Sequence, residues 1–146
     1  MNPNTLISIM NIEDLEKIKN VLEEEFDDFW NYSILKNELK NPNATYFVLK
    51  NGIEIIGFAG YIKILDTAEI TNIVIRKKNR GHGFSKVILQ HLTTYCKTQN
   101  IKQINLEVNS NNKIAINLYE HFGFSKVGCR KNYYKNGNAI LYTKYI

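Results

Sequence analysis

Three groups of residues have the types and spacing from which chemistry can be built. The first runs from Ile73 to Lys86: a strand, a basic loop with Arg76, Lys77, Lys78 and Arg80, then Gly81-His82-Gly83 at a helix start. Glycines let backbone N–H groups turn toward a common point, and a helix N-terminus adds roughly half a positive charge. The backbone from Gly81 to Lys86, through His82, Gly83, Phe84 and Ser85, is therefore a candidate seat for a pyrophosphate. The run has neither the Gly-Lys-Ser/Thr of a P-loop nor the spacing of a dinucleotide fingerprint. A plain tight turn with a solvated basic face is the other reading of the same residues.

The second group is a possible acid–base pair. Glutamate is depleted in strands, yet Glu107 sits inside an apolar alternation, Ile104, Leu106 and Val108, on the opposite face. A carboxylate there could act as a general base, directly or through one water; a solvated face or an ion pair is the structural alternative. Tyr119 lies on the following helix among Leu118 and Phe122. Its phenol could protonate a departing thiolate, or simply pack in the core. The third group is aromatic and basic: Tyr133 and Tyr134 among Arg130, Lys131 and Lys135. Such interleaving suits RNA, a peptide groove or an ordinary strand edge. His82, His91 and His121 show no metal-ligand spacing, so no metal is expected, and the helical neighbours of His91 suggest packing.

These residues need elements to position them. Thr5 to Ile9 reads as a strand. Asn11, with Asp14 three residues on, reads as a helix cap ahead of the stripe Ile12, Leu15, Ile18 and Leu22. The acidic run Glu23 to Asp28 leads into Phe29-Trp30 and a shorter helix, Ser33 to Leu39, closed by Pro42. Asn51-Gly52 between apolar runs predicts a hairpin, and a turn at Asp66-Thr67 adds a third antiparallel strand, Ala68 to Ile75. A long helix follows from Phe84 to Gln99, its buried stripe read as Phe84, Val87, Ile88, Leu92 and Tyr95. Then come a strand at Ile104 to Val108 and a helix at Asn112 to His121 capped by Gly123. Two strands, Ser125 to Tyr133 and Ala139 to Tyr145, end the chain around a turn at Asn136-Gly137. The order β-α-α-β-β-β-α-β-α-β-β predicts an α/β fold with a mainly antiparallel mixed sheet flanked by helices.

The chain has 146 residues, which suits one domain over 1–146. A net charge of +5 favours a phosphorylated ligand such as a nucleotide cofactor, RNA or a ribosome. The start, Met1-Asn2-Pro3-Asn4-Thr5, lacks signal-peptide character, and no apolar run reaches bilayer length. Cys96 and Cys129 match no metal or redox spacing and read as two buried thiols in a reducing compartment. The expectation is a cytoplasmic protein, with no membrane partner.

Taken together, these pieces resemble the GNAT superfamily of N-acetyltransferases. The family's cofactor motif, Gln/Arg-x-x-Gly-x-Gly/Ala, is matched by Arg80-Gly81-His82-Gly83-Phe84-Ser85 at the expected place, with Ser85 where Gly or Ala is usual. The chain is most similar to the branch of ribosomal-protein-alanine N-acetyltransferases, from about Leu6 to Tyr145. Ala68-Glu69-Ile70-Thr71-Asn72-Ile73, Leu106-Glu107-Val108, Asn112 with Ala115, Leu118-Tyr119-Glu120, Gly123-Phe124 and Gly128-Cys129-Arg130-Lys131-Asn132-Tyr133-Tyr134 carry that likeness.

The resemblance implies the GNAT fold, acetyl-coenzyme A as co-substrate, and direct attack of an amine on the thioester in a ternary complex. It implies Glu107 as general base and Tyr119 as general acid. Backbone at Ile73, Val74 and Ile75 would hold the pantetheine arm and polarise the acetyl carbonyl. The Arg80 to Lys86 loop would hold the pyrophosphate, and the Asn112 side chain would contact the cofactor. Trp30, Tyr133 and Tyr134 are the candidate acceptor-groove residues. The implied acceptor is the N-terminal alanine of a small-subunit ribosomal protein; a small amine is the alternative acceptor, and a non-catalytic acyl-coenzyme A sensor the alternative function. No direct nucleic-acid contact is expected, and a monomer or a homodimer is compatible with the sequence. Three departures from the branch pattern fall at the expected acceptor groove: the surroundings of Trp30, Asn109 in place of a common arginine, and Gly137-Asn138 in place of an acidic pair.

Overall fold

Asn11 opens the first helix through a reciprocal cap: its side chain accepts from the Asp14 N–H at 2.9 Å, and the Asp14 carboxylate accepts from the Asn11 N–H at 3.0 Å. The computed structural model describes residues 4–27 and 30–146. Met1 to Pro3, and Asp28 and Phe29 at the end of the acidic run, lie outside the described residues.

The elements are β1 (Thr5–Ile9), α1 (Ile12–Ile18), α2 (Tyr32–Lys40), β2 (Ala44–Asn51), β3 (Glu54–Ile64), β4 (Thr67–Ile75), α3 (Phe84–Thr98), β5 (Gln103–Asn109), α4 (Lys113–His121), β6 (Ser125–Tyr134) and β7 (Gly137–Tyr145). Two short turns join the expected set: a π-helical one at Leu22–Phe26 and a 3-10 one at Lys77–Asn79. Leu22 therefore belongs to a separate turn and not to α1, although Leu15, Ile18, Leu22 and Phe26 all enter the same core. Ile12, the first residue of the apolar stripe, is exposed.

The strands form one sheet in the order β1-β2-β3-β4-β5-β7-β6. Every neighbouring pair is antiparallel except β4 with β5. One face carries a core of Leu15, Ile18, Leu22, Phe26, Leu35, Tyr46, Phe58 and Val74, under α1 and α2. The other carries Phe47, Ile56, Ile88, Leu89, Leu92, Ile104, Leu106 and Val108, under α3 and α4. Each large aliphatic buried there contributes about 1.5–3 kcal/mol relative to exposure.

The buried stripe of α3 is rotated from the expected one. Ile88, Leu89, Leu92, Thr93 and Cys96 are buried, while Phe84, Val87 and Tyr95 are half-buried at its margin. Thr93 can face the core because its hydroxyl donates to the Leu89 carbonyl at 2.9 Å. Cys96 packs as a small apolar residue, and burial pushes its thiol up to about 12. His91 does pack, edge-on to Phe47 at 5.0 Å. Cys129, expected to be buried, is exposed, because β6 is the edge strand of the sheet.

Candidate active site

The site begins where a ladder stops. β4 and β5 pair only over Thr67–Glu69 and Gln103–Asn105, and beyond that the strands part. At the fork, Asn105 donates to Glu69 at 3.0 Å and accepts from Thr143 at 2.7 Å and Gln103 at 2.9 Å. On β4 the register with β3 slips by one residue, leaving Thr71 as the extra residue between Ile70 and Asn72. Such a bulge bends its strand, here away from β5. Tyr46 braces the bulge from below: its hydroxyl meets Thr71 at 2.9 Å and accepts from Asn72 at 3.2 Å. Gly60 makes room for it, since a Cβ there would fall 2.4 Å from the Tyr46 ring.

The parting strands open a cleft of about 890 Å³. The Arg76 N–H bonds to the Ile56 carbonyl at 2.7 Å, which fixes the alternation of the antiparallel β3–β4 ladder. Val74 therefore directs its N–H and C=O at Phe58 on β3, whereas Ile73 and Ile75 direct theirs into the gap. Val74, expected to offer backbone to the cofactor, instead spends it on the ladder. On β5 the bonds Ser110 N–H to Asn138 and Ile146 N–H to Lys102 set the corresponding alternation against β7. By that count the backbone of Glu107 and Asn109 faces the gap from the opposite side.

The two candidate catalytic groups approach this gap from opposite faces of the sheet. Leu106 and Val108 are buried on the α3/α4 face, so the alternating, exposed Glu107 lies on the α1/α2 face. Tyr119, on α4, is 9% exposed and sits in the α3/α4 core, its ring 5.9 Å from Phe124 in a T-shaped contact. Burial pushes its phenol up to about 12, with nearby Tyr134 adding to the shift. It therefore stays protonated across the physiological range, as a proton donor must. Tyr134 is also raised, chiefly by burial and then by the Glu107 carboxylate. Both candidates line the cleft. The Glu107 carboxylate faces the Arg130 guanidinium at 3.5 Å.

Gly81 and Gly83 take φ values of +83° and +81°. An added Cβ at either would meet no atom within 4 Å, so conformation and not crowding calls for glycine there. Gly83 caps α3 without any side-chain hydrogen bond. The first-turn N–H groups of Phe84, Ser85 and Lys86 thus open to an anion. Gly81, Gly83, Phe84, Ser85 and Lys86 line the cleft; His82 is exposed outside its wall, with its ring 6.3 Å from Phe84. This open, positive cradle fits a pyrophosphate. Arg80 lines the cleft as well, and two of its guanidinium N–H groups are taken by backbone: Nε donates to the Ile75 carbonyl at 2.8 Å and Nη2 to the Phe26 carbonyl at 2.7 Å. Asn112 lies in the cleft wall, and its side-chain oxygen caps α4 by accepting from Ala115 at 3.1 Å.

Of the acceptor candidates, Tyr134 lines the cleft, whereas Trp30 is half-buried against the α1/α2 core outside it. Tyr133 is exposed, its ring 5.7 Å from the Arg130 guanidinium. The reason is a second register slip: Lys131, Asn132 and Tyr133 bulge from β6, with Asn132 at φ +55°. The sequence reading passed over Ile114 and Asn117, which line the cleft with Leu118 and His121. Their i, i+3, i+4, i+7 spacing marks one helix face, and its mixed polarity hid it from a search for apolar stripes. Asn72, quoted only for the family likeness and given no site role, lines the cleft with its side-chain oxygen buried and without a partner among the described residues. Among the described residues, no group of three or more His, Cys, Asp and Glu is placed to hold a metal, and no helix is long and apolar enough to cross a membrane.

Known proteins are similar to this chain in sequence and fold. A ribosomal protein bS18-alanine N-acetyltransferase of Haemophilus influenzae is 34% identical, over 97% of this chain and 99% of its own. The N-alpha-acetyltransferase RimI of Mycobacterium tuberculosis is 29% identical over 80% of this chain and 75% of its own. The crystal structure of the ribosomal-protein-S18-alanine N-acetyltransferase of Escherichia coli superposes with a TM-score of 0.88 at 26% identity, covering 97% of this chain and 94% of that one. The model of the acetyltransferase (GNAT) family matches residues 6–124, a span that holds the β4 bulge, the glycine cradle, Glu107 and Tyr119, and so the chain belongs to the GNAT family of acetyltransferases.

Proposed function

We propose that this N-acetyltransferase uses acetyl-coenzyme A to acetylate the N-terminal alanine of a small-subunit ribosomal protein. The observation that carries the catalytic part is the gap between β4 and β5, with an exposed carboxylate on one face and a buried, protonated phenol on the other. The acceptor is supported by full-length similarity to the bS18-alanine enzyme of Haemophilus influenzae.

Acetyl-coenzyme A supplies an activated acetyl thioester. Within the chain, the N–H groups of Gly81 to Lys86 hold the pyrophosphate, and the backbone of Ile73 with the N–H of Ile75, whose carbonyl is taken by Arg80, is offered to the arm that enters the gap. Glu107, through one water, takes a proton from the acceptor ammonium so that the neutral amine can attack. An N–H donor on β4 stabilises the charge that develops on the carbonyl oxygen, an effect worth about 3 kcal/mol per donor in comparable sites. Tyr119 gives its proton to the sulfur as the C–S bond breaks, and the surplus proton that the nitrogen loses as the amide forms restores the phenol through solvent. Holding both reactants in one gap supplies much of the remaining acceleration.

The test is coenzyme A release with peptides beginning Ala-Arg, Ser or Met, beside spermidine and lysine. A preference for the Ala-initiated peptide, lost when its N-terminus is blocked, is expected. Preference for a free small amine would refute the acceptor and leave the acetyl transfer. Cofactor binding without turnover on any acceptor would point to a sensor.

A further inference from the structure

We infer that Arg80 is an acceptor-positioning residue and not a phosphate ligand: its guanidinium clamps the Leu22–Phe26 turn to the end of β4 and so sets the cleft wall at Asp27. The inference rests on the acetyltransferase reading. Its basis is the direction of the fork. Although Arg80 is an exposed residue, two of its guanidinium N–H groups are taken by backbone, one by the last carbonyl of β4 at 2.8 Å and one by the Phe26 carbonyl at 2.7 Å. Those carbonyls are 49 residues apart by their numbers, 75 minus 26, and no strand pairing joins them. A planar guanidinium suits such a bridge because it presents several donors in a fixed geometry.

A second clasp supports the first. The Arg76 guanidinium, buried, lies 4.8 Å from the centre of the Phe26 ring and within 3.3 Å of Glu54 and 3.9 Å of Glu25. Leu22 and Phe26 anchor the turn in the α1/α2 core. Asp27, the next residue, lines the cleft on the sheet face that carries Glu107. π-helical turns recur at functional sites, and here the turn hands the chain from α1 to the cleft wall. On the proposed reading the acceptor enters on that face, so the position of residues 22–27 shapes its path, while the phosphate cradle is built from the backbone N–H groups that follow Arg80 in the chain.

The two roles separate on substitution. For Arg80→Ala, coenzyme A affinity by calorimetry should stay within about threefold of wild type, while KM for the preferred acceptor rises by about tenfold or more, with a smaller change in kcat. Arg80→Lys keeps the charge but lacks the fork, so it should leave the acceptor KM raised. Trp30, the only tryptophan, stands just beyond Asp27 and Phe29 and reports on the segment; its emission should shift in both variants and not in Lys86→Ala. Loss of coenzyme A affinity in Arg80→Ala, restored by Arg80→Lys, would overturn the inference and make Arg80 a phosphate ligand. An unchanged acceptor KM would overturn it equally. If the wild-type chain binds no coenzyme A, the proposed function fails first and this inference with it.

Discussion

Replacing Tyr119 by phenylalanine separates chemistry from stability more cleanly than any other change at this site. The substitution removes one oxygen and keeps the ring, its T-shaped contact with Phe124 and its place in the core. Among the described residues no hydrogen bond to the phenol is lost. The phenol oxygen is not among the buried atoms left without a partner and its residue lines the cleft, so its removal should change stability by no more than about 1 kcal/mol and the melting temperature by less than about 4 °C. Turnover should fall at least about tenfold, and general-acid losses reach 10²–10⁴-fold. The assay is chromatographic quantitation of acetylated peptide, paired with calorimetric binding of coenzyme A, which should be unchanged. The pH profile adds a constraint. Burial holds the phenol at about 12, so wild-type kcat should show no loss from this group below about pH 10. Unchanged turnover in Tyr119→Phe would remove the residue from the mechanism. An alkaline limb below pH 10 that vanishes in the variant would refute the argument from burial.

Four further outcomes are expected. Glu107→Gln should lower turnover most near neutral pH and recover toward pH 9.5, where more amine is already neutral; its melting temperature should hardly change, since the exposed pair with Arg130 is worth under about 1 kcal/mol. Gly83→Ala, with empty space but φ +81°, should cost about 1–2 kcal/mol in strain and weaken coenzyme A binding, and calorimetry showing neither would sink the cradle argument. Tyr46, Tyr61, Tyr142 and Cys96 are all raised to about 12, chiefly by burial. Raised groups stabilise below their unfolded values and lose that contribution as pH climbs through the folded ones; melting temperature should be steady to about pH 9 and drop steeply above pH 10. Finally, a thiol reagent should titrate Cys129 at once in the native protein and Cys96 only after denaturation, and rapid reaction of both would contradict the packing of α3.

Much of this fold is legible in the chain because the signals are local. The Asn11–Asp14 cap, the Asn51-Gly52 hairpin, the alternation through Glu107 and the glycine that closes α4 each depend on a few neighbouring residues. The resemblance to the GNAT family likewise follows ordered short matches, so the candidate cradle and the candidate acid–base pair, Glu107 and Tyr119, could be singled out before any coordinates. The errors have the same origin. Helical periodicity of apolar residues places Phe84 and Tyr95 on the buried stripe of α3 and cannot foresee Thr93 turning inward on a back-bonded hydroxyl.

What the sequence determined, then, is which residues sit on which face of which element, since periodicity and capping are properties of contiguous residues. Only the tertiary structure decided where the ladder between β4 and β5 ends, and with it the gap that Glu107 and Tyr119 share. Only the pairing with β3 turned the backbone of Val74 away from the cleft and that of Ile73 and Ile75 toward it. The backbone bridge made by Arg80 and the division between half-buried Tyr134 and exposed Tyr133 were set in the same way. Each depends on partners far away along the chain, and a one-residue slip in register reverses the direction of every backbone donor beyond it.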